Sequence, residues 1–193
     1  MNFFLFLLNV AFPRLVLLIV MLPGFLFAAD KGQRYEVFLQ NPQHEIALKI
    51  ATLVIENKGD KSVYQLSMHE PQFGDYFLSM RPFKCMTDKV KMLCHLAYPY
   101  AIERQFSKND LSALEHDFLF IRRKPTDYGI DPWKGLYYRI QQKGDMFIGQ
   151  AHEVDLNILA VPPEDEVLGL INAELHEIDG EQLWLPKLLI KPE

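Results

Sequence analysis

Five of the six histidines stand directly before an acid: His44, His69, His152 and His176 precede Glu, and His116 precedes Asp. Imidazole beside carboxylate is the raw material of hydrolytic metal sites and of acid–base pairs. Two of these positions sit in a near-repeat, His152-Glu-Val-Asp155 and His176-Glu-Ile-Asp179. A metal hydrolase would recruit His152 and His176 with an acid as ligands. The spacing argues otherwise. The HExxH arrangement that puts two histidines on one helical face is absent, and on strands adjacent residues point to opposite faces. A repeated strand pattern in an acidic chain accounts for the pairs, so neither a metal nor a cofactor is expected.

The acids Glu153 and Asp155 carry a second possibility. Pairing Leu136–Gln141 with Met146–Ala151 around Lys143-Gly144 puts Leu136, Tyr138 and Ile140 on one face with Phe147, Gly149 and Ala151. Continued alternation carries Glu153 and Asp155 onto that inward face. There they could act as a general acid/base pair or as a polar anchor for a ligand. The loop PTDYGIDPWKG, residues 125–135, is the better binding element. Tyr128 and Trp133 supply large flat contacts, Asp131 a polar one, and Arg122 and Arg123 stand at its root. Loops on rigid β scaffolds often carry function.

Cys85 and Cys94 are the only two cysteines. Their spacing lacks the CxxC of zinc sites. Opposed across an antiparallel pair, they lie at disulfide distance. In that register Phe83 meets Leu96 and Thr87 meets Met92 on the cysteine face, while His95 points to the other. The pair reads as a staple. No nucleophile elbow, dinucleotide fingerprint, phosphate loop or EF-hand spacing occurs.

The elements that must position these residues are mostly strands. Tyr35–Leu39, Ile46–Ile55 and Val63–Met68 alternate or are rich in Ile, Val and Thr. A helix over Glu45–Asn57 also fits the apolar spacing, but the β-branched later half favours strands. The expected helix is short, roughly 108–116, opened by Ser107 with Asp110 three residues on. Phe118–Arg123 reads as a strand before Pro125. Leu170–Ile178 and Gln182–Ile190 flank Asp179-Gly180, a strong hairpin signal. That hairpin would set Ile171, Ala173, Leu175, Trp184 and Leu188 on the core side. About nine or ten strands joined by short turns predict a mainly β fold, an antiparallel barrel or sandwich with one disulfide.

Residues 1–29 are almost wholly apolar, with Arg14 their only charge and Ala28-Ala29 a small-residue end. This is the layout of a secretory signal cleaved near Ala28-Ala29. It leaves 30–193 as one β-rich domain in the periplasm or outside the cell. If uncleaved, the leader would be the sole membrane contact. Losing Arg14 moves the formal charge from −5 to −6, which disfavours nucleic acid as a partner. The one basic run, Arg122-Arg123-Lys124, is read as a solvated strand end. The expectation is an exported, non-catalytic envelope domain that binds a small apolar ligand or an envelope protein. The alternative is a hydrolase using Glu153 and Asp155, with or without a histidine-bound metal.

Overall fold

The structure, a computed structural model, describes residues 32–79, 82–163, 170, 173–178 and 183–193. The leader, the acidic run after Pro163 and the Asp179-Gly180 turn lie outside the described residues. Alternation dictates the first strands. In β1 (Gln33–Asn41), Tyr35, Val37 and Leu39 are buried while their neighbours are half exposed. β2 (Ile46–Lys58) and β3 (Lys61–Met68) turn at Gly59, whose φ of 71° suits glycine. Residues 46–58 are therefore strand, with Ile50, Leu53 and Ile55 buried in the main core.

The chain continues through β4 (Gly74–Phe77), β5 (Pro82–Thr87), β6 (Met92–Leu96) and β7 (Gln105–Phe106). After α1 (Ser112–His116) come β8 (Leu119–Arg123), β9 (Gly135–Lys143) and β10 (Met146–Val154). β11 (His176–Glu177) and β12 (Lys187–Pro192) complete the described strands. All twelve join one antiparallel sheet, in the order β4-β5-β6-β8-β9-β10-β12-β1-β2-β3-β7, with β11 also on β10. Along that path the sheet does not close, so it is a folded-over sandwich rather than a barrel.

Two strands near opposite ends of that path, β3 and β6, are nevertheless bridged. Asp117, at the end of α1, accepts the Tyr64 hydroxyl from β3 at 2.8 Å and the Arg104 guanidinium at 3.1 and 3.2 Å. Its carbonyl meets the His95 ring from β6 at 3.0 Å. A helix end and an ion pair thus fill the seam where a barrel would have a strand ladder. The main core spans both ends, from Tyr64 and Phe106 to Met86 and Leu93. A second cluster on the other face packs Leu119, Ile121, Tyr137 and Val154 under Leu156, Leu159 and Leu170.

Several expectations change. The helix begins at Ser112, not near 108, because Ser107 and Asp110 bond to each other as a turn. The Asp110 carboxylate instead accepts the Ser112 N–H and hydroxyl at 3.0 and 2.6 Å. In the β9–β10 hairpin Leu136 faces Glu153, two residues beyond the expected Ala151, because Met146 already pairs with Lys143. Parity survives, so Leu136, Tyr138, Ile140, Phe147 and Ala151 share the core as expected, while Asp155 lies past the end of the strand. The C-terminal runs do not pair with each other among the described residues. β11 and β12 instead lie end to end along β10, where His176 faces Glu153.

The cysteine hairpin folds in the expected register, with Cys85 opposite Cys94 and joined to it. Pro82 opens β5, where a missing N–H costs no ladder bond. The cysteines form a small cluster with Phe83 and Met92, while Met86 and Leu93 face the main core. A disulfide suits an oxidising, non-cytosolic compartment. No described helix is long and apolar enough to cross a membrane.

Candidate functional site: two clefts beside loop 124–134

β8 ends in Arg122 and Arg123, and the chain then turns through residues 124–134 into β9. Local bonds pin this loop. The Lys124 N–H donates to Asp127 at 2.9 Å, and Arg123 Nη1 donates to the Gly129 carbonyl at 2.5 Å. The Trp133 N–H donates to Asp131, whose carboxylate also pairs with Lys134 at 3.2 Å. Gly135 then has to be glycine. A Cβ there would lie 2.4 Å from the Leu156 side chain and 2.5 Å from the Val154 carbonyl. That close approach packs the loop's exit onto the 3-10 turn Leu156–Ala160.

A cleft opens on each side of the loop. The first, about 350 Å³, lies between the loop's root and the tip of the cysteine hairpin. Its floor is apolar: Met92, Leu93, Leu183 and Trp184 are all buried. Its rim is cationic, with Lys91, Arg122, Arg123, Lys124 and Lys134 against one carboxylate, Asp127. Pairing of Leu93 with Arg122 and Met92 with Arg123 in the β6–β8 ladder brings the two basic segments together.

The second cleft, about 430 Å³, is lined by Trp133, Glu153, Asp155, Ile158, Glu174 and His176 among others. It assembles four of the residues singled out in the sequence. Arg122 and Glu153 form an ion pair, so one residue lining each cleft is bonded to one lining the other. The guanidinium is only partly engaged, since its Nε is buried with no acceptor among the described residues.

The carboxylates of the second cleft already hold structural bonds. Glu153 is half-buried against Arg122. Asp155 lies just past the end of β10 and caps the 3-10 turn, accepting Asn157 N and Nδ2 at 2.9 and 2.8 Å. His176 is exposed opposite Glu153, and His152 turns its Nδ1 to the Gln150 carbonyl at 3.0 Å. Among the described residues no three His, Cys, Asp or Glu side chains are grouped to hold a metal ion. Tyr128 projects fully into solvent, and Trp133 is 67% exposed rather than covering the core.

The polar centre that sequence reasoning missed is Glu115-His116-Asp117, buried at the seam. Glu115 accepts the Tyr137 hydroxyl and, at 2.6 Å, the Ile140 N–H, which lies beyond the stretch where β8 pairs with β9. His116 stands between the Ser112 carbonyl at 2.6 Å and the Leu170 N–H at 3.2 Å. Burial pushes both His116 and His95 below the ordinary histidine range. Burial and the adjacent acids raise Tyr64 and Tyr137. The available signal was three adjacent ionisable residues inside run 111–121, which is otherwise apolar but for Ser112. Every one of them bonds a different strand or segment, which marks a structural knot.

Compared with known protein families, with curated proteins and with solved structures, the chain finds no match.

Proposed function

We propose that this is an exported, non-catalytic domain that binds a small ligand with an apolar body in the first cleft, beside loop 124–134. The observation that carries the reading is the apolar floor of Leu93, Leu183 and Trp184 at the root of a pinned loop. Concave, mostly apolar sites with a few converging polar groups are what small-molecule binders use. Export follows from the leader with its small-residue end at Ala28-Ala29, together with the disulfide. The hydrolase alternative draws on the second cleft. Its two carboxylates are bonded to Arg122 and to a turn, which suits positioning better than proton transfer.

The test is titration with N-phenylnaphthylamine, a neutral dye that brightens in apolar sites. Saturable one-site binding is expected, weakened by Val90→Asn at the exposed rim. Dye binding that never saturates, or that ignores the rim change, would sink the reading. A Tyr128→Ala/Trp133→Ala variant is expected to keep its thermal midpoint, because neither ring is buried. A drop of several degrees would show that these rings support the fold.

A further inference from the structure

We infer that the ligand of the first cleft is a singly headed anionic amphiphile, with an alkyl or aryl body and a carboxylate head. This rests on the ligand-binding reading above and adds the head group to it. Five cations line the cleft against Asp127 alone. Glu153 and Asp131, which pair with Arg122 and Lys134 but do not line it, reduce the excess to two positive charges. The Asp127 carboxylate is turned to the Lys124 N–H at 2.9 Å. The ammonium groups of Lys91 and Lys124 have no ion pair among the described residues. This excess is local, on a chain whose formal charge is −5, so general surface basicity does not account for it.

The guanidinium of Arg122 adds direction. Among the described residues it gives one hydrogen bond, to Glu153, and its buried Nε has no acceptor. A planar carboxylate is the partner that arginine's fork fits best. Around this head-group position the floor is Met92, Leu93, Leu183 and Trp184, which offers nothing to a second charge. A cleft of about 350 Å³ stands near the lower end of the roughly 300–1,000 Å³ typical of ligand pockets, so the body is short. Inorganic anions would leave the floor unused, and neutral lipids would leave the rim unused.

The experiment compares decanoate, decanol and decyltrimethylammonium, each below its micellar concentration, on the mature chain. Binding is read by tryptophan fluorescence, since Trp184 forms part of the floor. Decanoate is expected to bind about tenfold or more tightly than decanol and to weaken as salt rises, with the cation weakest. A Lys91→Ala/Lys124→Ala variant changes exposed or rim groups only, and should lose most of the decanoate preference while binding decanol unchanged. Equal binding of decanoate and decanol would overturn the head-group inference and leave the apolar-ligand reading standing. Failure of all three to bind would overturn both. A decanoate preference that survives loss of both lysines and of Arg122, in Arg122→Gln, would place the site elsewhere and also overturn the inference.

Discussion

His116 is the residue whose chemistry is most tightly dictated by its surroundings. The Leu170 N–H donates to Nε2, so the ring must be neutral and must carry its proton on Nδ1, donating to Ser112. Burial lowers its folded-state value, against the opposing pull of Asp117 and Asp110. The unfolded chain therefore takes up a proton first. Stability from this group is complete above the unfolded value, about pH 6.5, and is lost as pH falls below it through the folded value. His95, also lowered by burial, acts in the same sense. Equilibrium unfolding followed from pH 7.5 down to 5 (about the window the reference value sets) should show falling stability. His116→Gln should flatten part of that slope, and an unchanged slope would refute the linkage. Glu115 matters differently. Its loss would strand the Tyr137 hydroxyl and the Ile140 N–H, each a buried donor.

At the scale of elements, the cysteine hairpin does more than report a compartment. Its tip, Val90 to Leu93, is one wall of the first cleft, so the Cys85–Cys94 bond holds that wall against β8. Replacing both cysteines with alanine should cost about 2.7 kcal/mol by the chain-entropy relation for so short a loop. Chemical denaturation measures this, and an unchanged midpoint would deny the bond a stabilising role. The hairpin was legible from residue numbers because two cysteines fix a register that alternation then extends to Met86 and Leu93. β11 and β12 were not legible. Asp179-Gly180 is a strong local turn signal, but the open edge of β10 is a non-local partner that no short window contains. The same holds for α1. Its start was misplaced because the Asp110 carboxylate bonds Ser112 rather than closing a box with Ser107.

For the whole molecule, the path of the sheet explains where binding can occur. β3 and β6 converge on Asp117, and the seam there is occupied by Tyr64, Arg104 and His95. A larger hollow of about 780 Å³ beside the seam is lined by Tyr100, Phe106, Ser112 and Pro163 among others, without the charge excess of the first cleft. Away from the seam, the loop between β8 and β9 stands free enough to frame two clefts. The sequence pointed to this loop through its aromatic and turn residues, and to Glu153 through alternation. It hid the basic rim, because Lys91 and Lys124 come together only once β6 pairs with β8. The most direct test of the ligand site is a map of backbone amide shifts as decanoate is added to the isotopically labelled protein. Shifts are expected to cluster at Val90–Leu93, Arg122–Asp127, Leu183 and Trp184. Shifts gathered instead around Tyr100–Ala113, or none at saturating decanoate, would contradict it.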